Sequence, residues 1–113
     1  MKTIIAGGRD ITDYQLVVDA IAASGFNITE VVSGKAQGVD SLGERYAKER
    51  TIPVIECPAQ WDRFGKMAGP FRNRQMAQQA EALVLVWDGR SKGSRNMLKQ
   101  AQEFGLKIYE KRI

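Results

Sequence analysis

The 113-residue chain has no histidine and a single cysteine, Cys57. One thiol excludes an internal disulfide, and a structural zinc site of the Cys/His kind lacks its usual ligands. Without histidine there is also no Ser-His-Asp or Cys-His machinery, so any catalysis falls to carboxylates, arginines, lysines, tyrosines and bound water. No apolar run approaches the roughly 20 residues that span a bilayer. Met1 to Ala6 carry one positive charge ahead of a short apolar stretch, and Gly7-Gly8-Arg9-Asp10 ends it too early for a signal peptide. The first residues are therefore expected to be retained and the chain to stay in the cytoplasm. Repeats, low-complexity tracts and linkers are absent as well.

What remains is ordinary globular composition, 43% hydrophobic and 27% charged. The length suits one domain over residues 1–113, with enough chain to bury a core. A net charge of +4 favours anionic partners without reaching the charge density that by itself indicates nucleic acid.

Short apolar runs alternate with helix-period segments, the pattern of a parallel sheet covered by helices. Thr3 to Ala6 reads as a buried strand, and a helix follows from about Asp13 to Ser24, with Thr12 and Gln15 as a capping box and Gly25 as its stop. Glu30 to Ser33 is a second strand. After Gly34-Lys35-Ala36-Gln37-Gly38-Val39-Asp40, a helix starts at Asp40 or Ser41 and runs to about Glu49, with Ser41 and Glu44 offering a second capping box. Pro53 to Cys57 reads as a third strand and Pro58 closes it. Ala59 to Gly69 lacks clean periodicity and reads as an ordered loop with room for one helical turn. A helix then runs from about Pro70 to Gln79. Ala82 to Trp87 is apolar throughout, as a strand covered on both faces should be. A loop from Asp88 to Gly93 leads to a helix with Met97, Ala101 and Phe104 on its apolar face, then Gly105 and a last strand from Lys107 to Tyr109. Five parallel strands with helices on both faces result: an α/β, Rossmann-like three-layer sandwich of expected strand order 3-2-1-4-5.

Three strand ends run into glycine-bearing turns: Gly7-Gly8, Gly34 with Gly38, and Gly89 with Gly93. In an open parallel sheet these ends share one edge, and ligands bind in the crevice outside it. Glycine lets backbone N–H groups approach an anion, and the helix N-termini that follow add partial positive charge, so phosphate is the natural guest. For a lone Gly-Gly turn a need for positive φ is the better explanation; three such turns at one edge reverse that balance and favour a site. Arg9, Lys35, Arg90, Lys92 and Arg95 lie in or beside the turns. No turn is a Walker loop and none carries G-x-G-x-x-G, which leaves ATP hydrolysis and NAD redox chemistry without support. Asp10 and Asp40 are candidate ribose acceptors, although a carboxylate at a helix start also serves as a cap. Trp61-Asp62-Arg63-Phe64-Gly65-Lys66 and Phe71-Arg72-Asn73-Arg74 mix aromatics with basic residues, as a base-stacking surface does and as a solvated helix face beside core aromatics also does.

Ile5-Ala6-Gly7-Gly8-Arg9-Asp10, Ser33 to Asp40, Pro58-Ala59-Gln60-Trp61 with Gly65-Lys66, and Ala68-Gly69-Pro70-Phe71-Arg72-Asn73-Arg74-Gln75-Met76 together resemble the YspA/YpsA-like branch of the SLOG superfamily over nearly the whole chain. That superfamily includes the Lonely Guy phosphoribohydrolases and the Smf/DprA DNA-processing proteins. The resemblance implies a Rossmann-like fold, a homo-oligomer and a nucleotide-type ligand; neither a metal nor a cofactor is expected. Ligand contacts are then expected from Gly7, Gly8, Arg9, Asp10, Ser33, Gly34, Lys35, Gly38, Asp40, Arg72, Asn73, Asp88, Gly89, Lys92, Gly93 and Ser94.

Lonely Guy enzymes carry an arginine in R-K-x-x-M and a glutamate in P-G-G-x-G-T-x-x-E. Arg72 and Met76 match the first pattern, with Asn73 in place of lysine, while Met97 stands where the second has its glutamate. A thioether cannot stabilise the oxocarbenium character of N-glycoside cleavage as a carboxylate can. The reading therefore leans to binding without catalysis, in a pocket for a nucleotide or nucleotide-derived small molecule. Two alternatives stand beside it. One is a nucleotide N-glycosidase or phosphoribohydrolase that uses Arg72 with a substitute carboxylate, Asp40, Asp88 or Asp10; the other is a DNA-binding module of Smf/DprA type.

Overall fold

A computed structural model describes residues 1–113. Its elements in chain order are β1 (Lys2–Gly7), α1 (Tyr14–Ser24), β2 (Glu30–Ser33), α2 (Val39–Glu49), β3 (Val54–Glu56), the single turn α3 (Trp61–Phe64), a 3-10 turn (Gly65–Met67), α4 (Ala68–Gln79), β4 (Ala82–Trp87), α5 (Lys92–Glu103) and β5 (Lys107–Arg112). The five strands form one parallel sheet in the order β3-β2-β1-β4-β5, as expected from the alternation of strands and helices. No helix is long and apolar enough to cross a membrane.

The strand period of two divides the core. Ile4, Ala6, Leu83, Leu85 and Trp87 point to one face, where Met76 and Ala77 of α4 and Met97 and Ala101 of α5 cover them. Ile5, Val84 and Val86 point to the other, against Val17, Ala20 and Ile21 of α1 and Val39 and Ala47 of α2. Central β4 is buried at every position, which is why its sequence has no polar face.

Several local expectations give way to competing contacts. The N-cap of α1 is Asp13 rather than Thr12, because its carboxylate accepts the Leu16 N–H at 3.3 Å. Gly25 does end that helix, at φ 69°. Helix α2 starts at Val39, and its cap is Gly38, which has no side chain to bond. Neither Asp40 nor Ser41 caps it, and Glu44 turns instead to the Ser33 hydroxyl and the Lys35 ammonium. Helix α4 begins at Ala68, so Pro70 stands within the first turn, where a missing N–H costs no intrahelical bond. Helix α5 already includes Lys92 and Gly93 and stops at Glu103. Phe104 is therefore the C-cap, 39% exposed with the Arg74 guanidinium over its ring, and does not belong to the buried face. Strand β5 continues to Arg112, since its ladder with β4 pairs Trp87 with Arg112.

Candidate functional site

The chain order places β2 and β3 on one side of β1 and β4 and β5 on the other, so the sheet changes direction between β1 and β4. Outside the carboxyl ends of these strands lies a cavity of about 440 Å³. Its floor is Ala6 and Gly7 of β1. Arg9, Ala36 and Asp40 form one side, Gly69, Pro70, Arg72, Asn73 and Met76 of α4 a second, and Ser91 to Ser94 with Asn96 and Met97 of α5 a third; Trp61 and Lys66 stand at the mouth. A neighbouring groove shares Arg9, Ala36, Trp61 and Arg72 with it and adds Gly34, Lys35 and Gln37.

The start of α5 has the features of an anion site. Ser91 is its N-cap and accepts the Ser94 N–H at 3.3 Å, and the first turn-to-turn backbone bond runs from Arg95 N–H to Ser91 O. The Lys92 and Gly93 amides precede that bond and face the positive end of the helix dipole outward. Ser94 is buried, and its hydroxyl has no partner within the protein. A Cβ placed on Gly93 would meet nothing within 4 Å, so this glycine leaves space rather than relieving a clash. Arg9, Lys66 and Lys92 take part in none of the chain's ion pairs.

Opposite, Arg72 donates through Nη1 to Gly34 O and through Nε to Asn73 Oδ1 at 2.9 Å. Asn73 in turn donates to Gly93 O and to Asn96 Oδ1, linking α4 to α5 across the cavity wall. Asp40 and Arg72 both flank Gly34: a Cβ there would sit 2.8 Å from the Asp40 carboxylate and 2.7 Å from Arg72 Nη1. Burial pushes the Asp40 carboxyl up to about 6; the Arg72 charge and the Ala36 and Gly34 amides oppose the rise, and Glu44 adds to it. Burial likewise lowers Arg72 from its ordinary value, with Asp40 as the main opposing influence. No group of three or more Cys, Asp or Glu side chains is placed to hold a metal ion.

Of the residues singled out from sequence, Gly7, Arg9, Asp40, Arg72, Asn73, Lys92, Gly93 and Ser94 line the cavity, and Gly34 and Lys35 line the adjoining groove. Gly8, Ser33 and Gly38 line neither space. Gly8 O accepts the Val39 N–H, Ser33 bonds Glu44, and Gly38, at φ 74°, presses against Gly8 and Arg9. Asp10, Asp88 and Gly89 lie outside the cavity. Asp88 accepts the Arg90 and Ser91 amides, and Gly89 adopts φ 84° beside Arg112. Ser91, Asn96 and Gly69 join the wall without having been selected. Asn96 was reachable in principle, standing three residues after Gly93 on the same helix face.

A sequence model of the YspA, cpYpsA-related SLOG family matches residues 1–64. The chain belongs to that family. A relative, the Gene 61 protein of Mycobacterium phage D29, is 31% identical over 117 residues, covering 95% of this chain and 93% of its own length. The family's fold recurs in the X-ray structure of DNA processing protein A (DprA) from Streptococcus pneumoniae, with a TM-score of 0.78 and 20% identity over 96% of this chain. The chain spans about half of that protein, 49% of its length. Met97 packs in the core and also lines the cavity.

Proposed function

We propose that residues 1–113 act as one domain that binds a nucleotide or nucleotide-derived small molecule, as a homo-oligomer, with the phosphate at the start of α5. One observation carries this reading: Gly93 and Ser94, at the N-terminus of α5, line a cavity large enough for a nucleotide-sized guest, and the buried Ser94 hydroxyl has no partner within the protein. A buried hydroxyl left unbonded costs about 1–3 kcal/mol, which a phosphate oxygen recovers. Arg9, Lys66 and Lys92 supply positive charge around the cavity, and Asp40, Arg72 and Asn73 offer both acceptors and donors to a sugar.

Titration calorimetry with a panel of nucleoside monophosphates tests it. Ser94→Ala weakens every ligand that binds wild type by about tenfold, the value of one charge-assisted hydrogen bond, without lowering the melting temperature. Unchanged affinity moves the phosphate elsewhere. Native mass spectrometry of the freshly purified protein reads any retained nucleotide and the oligomeric state together.

The position of Asp40 favours a second reading, hydrolysis of a nucleoside monophosphate to free base and ribose phosphate. Of the three substitute carboxylates, Asp40 alone lines the cavity, beside Arg72 and with a carboxyl near 6. Free base released by wild type and lost in Asp40→Asn would establish that reaction. Likeness in fold to a DNA processing protein raises DNA binding as a third role; it predicts affinity for single- or double-stranded DNA that falls steeply with salt, against a shallow dependence for a one-phosphate ligand.

A further inference from the structure

The chain has two tryptophans in opposite situations. Trp87 is buried and donates its indole N–H to Glu110. Trp61 is 51% exposed and its indole N–H has no protein partner. It is also the only aromatic side chain lining the main cavity, and it borders both smaller grooves beside it. Phe64 and Phe71 pack edge-to-face against each other 4.9 Å apart and line none of these spaces, so Trp61 stands apart from that exposed pair.

Room for the indole is built into the next helix. The nearest neighbour of a Cβ on Gly69 would be the far edge of the Trp61 ring, at 3.5 Å, so the ring edge comes down close over a helix position that has no side chain. A large planar apolar surface is thus held at the rim of a cavity whose inner walls carry carboxylate, guanidinium, amide and hydroxyl groups. Those polar walls suit the phosphate and sugar of the proposed ligand; the flat rim suits a planar ring. From this we infer that Trp61 is the stacking wall for the ligand's heterocyclic base, and that it sets the preference for a base-bearing over a base-free sugar phosphate. The inference rests on the nucleotide reading above and adds to it the residue that recognises the base.

The test compares adenosine 5′-monophosphate, uridine 5′-monophosphate and ribose 5-phosphate on the full chain. Wild type binds at least one of the nucleotides about tenfold or more tighter than ribose 5-phosphate, as expected for one base–aromatic stack. Trp61→Ala closes that gap to within about threefold and leaves the ribose 5-phosphate affinity unchanged; Trp61→Phe keeps most of it. The change in emission on nucleotide binding is expected from the exposed Trp61, and its loss in Trp61→Phe, which keeps Trp87, assigns it there. Equal wild-type affinity for all three probes, or a gap that survives Trp61→Ala, overturns the assignment while the nucleotide reading stands. So does an equal loss for base-bearing and base-free probes, which makes the indole a support of the cavity. An altered sedimentation mass in Trp61→Ala with the gap intact also overturns it, in favour of a subunit contact. If none of the three probes binds wild type, the nucleotide reading falls and this inference with it. Ser94→Ala, which weakens nucleotides and ribose 5-phosphate alike, marks the phosphate separately from the base.

Discussion

Two glycine-bearing turns of this chain look alike in sequence and do opposite things in the fold. In the turn after β2, Gly38 has φ 74°, and a Cβ there would lie 2.2 Å from Gly8 O and 2.6 Å from Arg9 O. The two loops lock together, with Val39 N–H donating to Gly8 O at 3.2 Å. At the start of α5, Gly93 has empty space where its Cβ would be, beside the unbonded Ser94 hydroxyl. The first glycine is required by the protein's own packing. The second has open space where a side chain would stand, as the proposed phosphate position requires. Glycine in a strand-to-helix turn thus has two physical meanings, and the distinction lies in what surrounds the missing side chain.

Substituting the same residue at both turns gives the sharpest break in that comparison. Gly38→Ala places a methyl into backbone oxygen at a positive φ and destabilises the fold by about 3 kcal/mol or more, read as a lowered denaturation midpoint. A midpoint close to wild type would show that the loops separate without cost and that Gly38 is no interlock.

The buried acid on the same side of the cavity gives a second effect of similar size, seen through pH. Asp40 titrates near 6 in the folded chain against an ordinary 3.8, so between those values the folded protein holds a proton that the unfolded chain has released. Its contribution is fully present below about 3.8 and is lost as pH rises through about 6, a fall of about 3 kcal/mol. Urea melts of wild type and Asp40→Asn should therefore diverge in favour of the variant as pH rises from about 4 to about 7. Parallel stability curves for the two proteins would place Asp40 in contact with solvent.

The smallest effect carries the opposite sign. Gly93→Ala meets no neighbour and replaces a flexible residue within a helix, so it raises stability by up to about 1 kcal/mol. The added methyl stands where the phosphate is proposed to sit, so nucleotide affinity falls while the melting temperature rises. Loss of stability, or binding that ignores the methyl, would erase the difference between the two turns.

Much of the frame was legible from the chain alone. The unbroken apolar run from Ala82 to Trp87 could only be a strand covered on both faces, and the regular spacing of strands and helices left the doubly wound sheet as its natural closure. The turns that gather at one sheet edge followed from that topology, because parallel strands end together. Local pattern failed where distant contacts outbid it. Glu44 looked like a capping partner for Ser41 until Ser33 and Lys35, brought close by the loop after β2, offered it a hydroxyl and an ammonium. Phe104 kept helical spacing with Met97 and Ala101, but α5 ends at Glu103 and leaves its ring on the surface.

Sequence by itself determined the alternation of elements, the faces that pack, and the edge at which glycines, arginines and helix N-termini meet, because periodicity and right-handed connection are local or topological properties of the chain. Tertiary structure alone decided which glycine packs and which leaves room, that Asp40 lies buried beside Arg72 while Asp10 and Asp88 lie outside the cavity, and that Ser94 and Trp61 line the same cavity. Those are matters of burial and distance between residues far apart in sequence, and burial and distance exist only once the chain has closed on itself.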